Sequence, residues 1–125
     1  MNIYYTIGCH PHFAPQMLGT GAFELLERLL LEGKGRGCVA VGECGMDRSS
    51  GCKVPLEVQS QAFRLQVELA MKLQLPLVLH IREAEQAGLA VLKEVGLPRD
   101  WPVHRWGVGN VKMLTIFAQF QALLE

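Results

Sequence analysis

Four stretches of this chain run from short apolar segments into side chains able to bind a metal ion or move a proton. Ile3-Tyr4-Tyr5-Thr6-Ile7 leads to Gly8-Cys9-His10-Pro11-His12, and Val39-Ala40-Val41 leads to Gly42-Glu43-Cys44-Gly45-Met46-Asp47. Leu75-Pro76-Leu77-Val78-Leu79 leads to His80-Ile81-Arg82-Glu83, and Trp101-Pro102-Val103 leads to His104-Arg105. A carboxylate and imidazoles brought together are ligands for a divalent cation such as zinc or manganese. A cation so held lowers the pKa of its water to about 7 and polarises a phosphoryl or carbonyl oxygen, so hydrolysis is the expected chemistry. Arg82, two residues past His80, is suited to neutralising an anionic substrate.

Each residue also has a purely structural reading. Gly42 and Gly45 would permit a tight turn that leaves Glu43 a solvated charge. His10 and His12 flank a proline and would stabilise a turn, and His80 would be a satisfied core histidine. Arg82-Glu83 would open a helix, and His104 would lie on the surface. The joint pattern is more specific than any of its parts, because the spacing suits a single architecture. From His10 to Glu43 is 33 residues, from Glu43 to His80 is 37, and from His80 to His104 is 24. A parallel βαβ unit takes about 30 residues. Its strands would share one carboxyl rim, where ligands gather in α/β proteins, and His10, Glu43 and His80 would converge there.

The intervening segments have helical periodicity. Ala22 to Leu31 is amphipathic, and from Pro55 to about Gln74 a stripe of Val58, Ala62, Leu65, Leu69 and Leu73 faces a sheet. Arg82 to Val95 forms a third helix closed by Gly96-Leu97-Pro98. Phe13 to Thr20 reads as loop around the breakers Pro15 and Gly19. Gly33-Lys34-Gly35-Arg36-Gly37 precedes a strand, whereas phosphate loops follow one, so it reads as a plain connection. The segment Val111 to Leu124 is apolar and reads as helix.

Composition bounds the possibilities. The chain has 125 residues, half of them hydrophobic, with 12 basic against 12 acidic side chains, which suits one modest domain. A neutral balance argues against a strong nonspecific grip on nucleic acid, although a local basic rim is compatible with it. Cys9, Cys38, Cys44 and Cys52 form no CxxC pair, so a zinc finger is not expected and reduced thiols are. There is no secretory signal and no apolar run near the ~18 residues that cross a bilayer. The expectation is a soluble intracellular protein, cytoplasmic or nuclear, without a membrane partner.

The strings Thr6-Ile-Gly-Cys-His-Pro-His-Phe-Ala14, Ala40-Val-Gly-Glu-Cys-Gly-Met-Asp47 and Leu77-Val-Leu-His-Ile-Arg-Glu-Ala84 resemble the TatD family of metal-dependent deoxyribonucleases. Gln61-Ala-Phe-Arg-Leu-Gln66 with Leu69-Ala70 and Leu75-Pro76 is similar to the family's helix and strand entry, and the match covers about residues 3 to 105. The resemblance implies an α/β fold, a partial TIM-like (β/α) barrel of parallel strands amounting to roughly half of the family fold. It also implies cleavage of DNA phosphodiester bonds by metal-activated water. The cofactors it implies are divalent ions (Mg, Mn or Zn), two in the complete fold. Glu43 matches the family's metal-bridging glutamate, the catalytic carboxylate, and His80 a metal-ligating histidine. His10, His12 and Arg82 match positions expected to contact substrate. Asp47 matches the aspartate after the GExG turn.

Two departures shape the expectation. The family's first strand carries an HxH metal pair ahead of the point where this chain starts. Beyond Arg105 the pattern lapses: His104 sits two residues early, Trp106 takes the ligand position, and a late aspartate is absent. Residues 1–105 are thus expected to form a partial hydrolase domain and residues 106–125 a divergent helical tail, as in a truncated isoform. Weak or absent activity of the isolated chain follows. A non-catalytic piece that binds DNA or another protein is the rival reading, and an unrelated doubly wound domain with structural histidines is a third.

Overall fold

Short β-branched and apolar runs separated by amphipathic helices leave one packing solution, a sheet with parallel strands covered by helices. The computed structural model describes residues 3–98 and the backbone of 103–108 and 111–116. In chain order the elements are β1 (Tyr5–Ile7), α1 (Ala14–Met17), α2 (Ala22–Gly33), β2 (Cys38–Asp47), α3 (Leu56–Leu73), β3 (Leu77–Arg82), α4 (Glu85–Val95), β4 (Val103–Val108) and β5 (Val111–Ile116). A 3-10 turn at Pro11–Phe13 precedes α1. The sheet order is β1-β2-β3-β5-β4. Strands β1, β2 and β3 are parallel, and β5 runs antiparallel to both β3 and β4. The α/β architecture with three parallel strands and crossover helices agrees with a partial TIM-like barrel.

The core lies between this sheet and the helices, and Val41, Leu77, Leu79, Phe63, Val67 and Leu30 are among its fully buried side chains. α3 buries Ala62, Phe63, Val67, Leu69, Ala70 and Leu73 along with two glutamines, Gln59 and Gln66. The expected stripe is therefore rotated: Val58 and Leu65 are only half-buried. Phe13 to Thr20 is not a continuous loop. Pro15 falls within the first two positions of α1, where its fixed φ and missing N–H cost nothing.

Three further expectations change. Glu43 does not sit in a turn, because β2 continues from Cys38 to Asp47. Gly42 pairs with Val78 and Cys44 with Leu79, so Glu43 is an extra residue in a bulge, a device that re-aims a side chain within a strand. The second change concerns Val111–Ile116, which is strand and not helix. An apolar run of this length is ambiguous by periodicity, and the open edge of β3 offers it a hydrogen-bonding partner. Phe117, Ala118, Gln121 and Leu124, also assigned to that helix, lie outside the described residues. Third, Val103 begins β4 and does not end a strand, so His104 is near the amino end. In register, His104 is level with Thr115 and Val78, whereas Trp106 is level with Met113 and His80.

Glycine makes the close approaches at the rim possible. A Cβ on Gly8 would come within 2.8 Å of the backbone of Gly42, and one on Gly42 within 2.6 Å of the Val78 carbonyl oxygen. Gly45 has φ +149°, and a Cβ there would overlap the His80 carbonyl. We expect Gly45→Ala to lower stability by about 3 kcal/mol, the combined scale of backbone strain and overpacking. Gly51→Ala, with nothing within 4 Å of its Cβ, is the control. Urea denaturation of both variants checks this, and equal midpoints would refute it.

Candidate functional site

The parallel strands deliver three side chains to one rim. His10 follows β1, Glu43 projects from the bulge of β2, and His80 lies within β3. Glu43 Oε1 stands 3.8 Å from His10 Nε2 and 3.7 Å from His80 Nδ1. The ring centroids of His10 and His80 are 4.4 Å apart. Among the described residues these three form the group whose ligand atoms cluster, all within 4.8 Å of one another. Two donors on a tetrahedral ion with bonds of about 2.1 Å stand about 3.4 Å apart. Glu43 with either histidine is therefore spaced to hold one divalent cation through oxygen and nitrogen donors.

The residue that organises this cluster is Asp47, which is 2% exposed. Its Oδ2 is 2.9 Å from His12 Nε2 and 3.0 Å from His80 Nε2. Its Oδ1 accepts from the Ser49 amide at 2.8 Å and the Ser49 hydroxyl at 2.5 Å. Burial alone would raise the carboxyl pKa. The bonds from Ser49, His12 and His80 outweigh burial and hold it well below the usual range. An ionised carboxylate only accepts hydrogen bonds, so both imidazoles present Nε2–H to it. This carboxylate–histidine arrangement directs Nε2 of His80 to Asp47 and Nδ1 toward Glu43.

The backbone of the rim is fixed from behind by α3. Gln59 Oε1 accepts from the Asp47 amide at 2.7 Å, and its Nε2 donates to the Asp47 carbonyl at 2.9 Å and the Val54 carbonyl at 2.8 Å. One face of the helix further along, Gln66 Oε1 accepts from the Cys9 amide at 2.7 Å and Nε2 donates to the Cys9 carbonyl at 3.2 Å. Each side-chain amide thus replaces a neighbouring strand for one residue beside the site. Sequence reasoning gave neither glutamine a positioning role, although a polar residue repeating at a seven-residue interval on a buried helix face is a usable signal.

His10 lies at the start of the 3-10 turn, where its Nδ1 accepts from the His12 amide at 3.1 Å. Burial, then repulsion from His80 and His12, lowers its pKa, with Glu43 and Asp47 opposing. His12 is exposed and joined to the cluster through Asp47. Arg82 is half-buried at the end of β3, and its Nε has no hydrogen-bond partner among the described residues. The side chains of His104 and Trp106 lie outside the described residues.

The four cysteines are free. Burial pushes the Cys44, Cys9 and Cys38 thiols up, which favours their protonated form.

Because the Asp47 pKa is depressed in the folded chain, its contribution is present above the unfolded value of about 3.9 and is lost as pH falls below it. We expect the thermal midpoint to fall as the pH drops from 5 toward 2, and Asp47→Asn to flatten that dependence while lowering the midpoint at pH 7. Parallel melting curves at several pH values check this.

The chain is similar in sequence to known proteins. A family model described as TatD related DNase matches residues 1–122. The human 3'-5' RNA nuclease TATDN2 is 37% identical over 103 residues, covering 82% of this chain and 13% of that protein. The 3'-5' ssDNA/RNA exonuclease TatD of Erwinia tasmaniensis is 42% identical over 88 residues, covering 70% of this chain and 32% of that protein. The Deoxyribonuclease Tat-D of Schizosaccharomyces pombe is 37% identical over 107 residues, covering 79% of this chain and 34% of that protein. Among these relatives and the metal-dependent hydrolase TatD of Mycobacterium tuberculosis, the chain spans between 13% and 39% of their length. With a match over nearly its whole length, the chain belongs to the TatD-related DNase family.

Proposed function

We propose that this chain carries part of the metal centre of a nucleic-acid hydrolase, with DNA as the substrate. The observation that carries the reading is the 3.7 Å separation of Glu43 Oε1 and His80 Nδ1 across adjacent parallel strands. Glu43 and His80 are the protein ligands, and Glu43 also acts as the catalytic carboxylate. A bound divalent ion supplies an activated water and a Lewis acid for the phosphoryl oxygen. Glu43 Oε1, the carboxylate oxygen between the two rim imidazoles, would be the base that takes a proton from such a water. Arg82, whose Nε lacks a partner, offers charge to a phosphate oxygen. His12 supports the substrate side through its link to Asp47.

Two ligands hold an ion weakly, since catalytic sites of this kind use about three protein ligands. The isolated chain therefore turns over DNA slowly or not at all. The complete site takes two ions (Mg, Mn or Zn), with further ligands from segments corresponding to the rest of the relatives' length. Residues 1–105 include Glu43, His80, Arg82 and the two rim histidines and are taken as the hydrolase unit, while the family match continues to residue 122. The place of action is the cytoplasm or nucleus.

The test is metal binding followed by turnover. Calorimetry with Mn2+ should detect a weak site that Glu43→Gln and His80→Ala each weaken by about 10-fold or more, the scale on which metal sites respond to lost interactions. Unchanged affinity in both variants would remove the pair from the metal centre. With end-labelled single-stranded DNA and Mn2+, the 125-residue chain should give no more than trace cleavage. Fast, chelator-sensitive cleavage would contradict the reading of an incomplete site, and cleavage of RNA in preference to DNA would contradict the substrate.

A further inference from the structure

Exposed apolar side chains are gathered in one part of this chain. Among the described residues, nine large apolar side chains are exposed, and eight of them fall between Ile3 and Leu31. Three of the eight stand on one helix: Leu25 is 46% exposed, Leu29 38% and Leu31 55%. Leu26, Leu30 and Gly33 of the same helix are buried. At about 100° per residue, the outward arc of α2 runs from Leu31 through Glu24, Arg28, Glu32 and Leu25 to Leu29. A surface helix normally keeps that face polar. On the flank of Leu25 and Leu29 the arc borders a groove of about 430 Å3, which Phe13 and Met17 also line. Contiguous exposed apolar surface of this kind marks a contact site.

The charges within the arc say what covers it. Arg28 and Glu32 lie side by side at its centre, each side chain 67% exposed, with Arg28 Nε 4.0 Å from Glu32 Oε1. Two copies of α2 laid parallel would set each charge against its own kind, which is repulsive. Laid antiparallel about a two-fold axis level with Leu30, Arg28 comes level with Glu32 of the partner subunit, and Glu32 with Arg28 of the partner subunit. The same axis brings Leu29 and Leu31, one residue to either side of it, within about 3 Å of their own counterparts along the helix direction. One surface thus supplies its own complement, as a two-fold interface requires.

We infer that the outward face of α2 is a self-association surface, and that its occupant is a second copy of this chain, packed antiparallel across Arg28, Glu32 and the flanking leucines. None of these residues belongs to the metal cluster, so the inference is independent of the hydrolase reading.

Gel filtration with light scattering on the 125-residue chain should give twice the monomer mass, falling to the monomer on dilution. A monomer at every concentration would overturn the inference. Arg28→Glu and Glu32→Arg each place like charges across the axis and should weaken dimerisation by about 10-fold or more. Both positions are exposed, so the circular dichroism spectrum should match that of the parent. Mixed in equal amounts, the two variants should recover the dimer, because every pair across the axis is then opposite in sign. An ion pair within one helix cannot produce that recovery, since neither variant carries both signs at these positions. Variants that dimerise as the parent does, or a mixture that stays monomeric, would refute the antiparallel register. Leu29→Glu should also yield a folded monomer, and a dimer of parental strength in that variant would rule out α2 as the contact.

Discussion

A carboxylate that is almost fully buried must be compensated by its neighbours, and in this chain the compensation of Asp47 sets the geometry of the whole rim. Four donors converge on its two oxygens: the amide and hydroxyl of Ser49 on one, and the rings of His12 and His80 on the other. Because every acceptor direction is occupied, no rearrangement of one partner is free of consequence for the rest. The energetic role of the network is thus tied to its directional one. The bonds that keep Asp47 ionised also fix which nitrogen of His80 faces Glu43.

The backbone carrying this carboxylate is held with equal care. Strand ends normally leave N–H and C=O groups without partners, and a loop would be free to move. Gln59 and Gln66 remove that freedom by closing paired hydrogen bonds onto Asp47 and Cys9. α3 therefore does more than cover the sheet with apolar surface. It fixes the depth at which β1 and β2 end, and with that the position of His10 relative to Glu43. Sites positioned in this way, on strands braced by a helix, tolerate less error than sites on loops.

The other edge of the sheet is organised differently. β5 pairs antiparallel with β3 and separates it from β4, so the fourth parallel strand of a simple βα progression is not next to the third. Pairing of this kind covers an edge that would otherwise be exposed. It also means that register, and not adjacency, relates Trp106 to His80. The cluster consequently draws its described side chains from β2, β3 and the turn that follows β1.

What the sequence by itself determined is the sequence of apolar runs, their βα spacing, and the identity of the chemical groups at their ends. Those suffice for the parallel arrangement of β1, β2 and β3 and for the convergence of His10, Glu43 and His80, because a strand's direction and a crossover's length follow from local pattern. Helix α4 and its glycine stop are legible for the same reason. Tertiary structure alone decided the bulge at Glu43, the buried face of α3 with its two glutamines, the pairing of Val111–Ile116, and the central place of Asp47. Apart from the seven-residue spacing of Gln59 and Gln66, none of these has a local signature. Each depends on which backbone or side-chain group finds an unsatisfied partner once distant segments meet, and hydrogen-bond demand of that kind is a property of the packed chain.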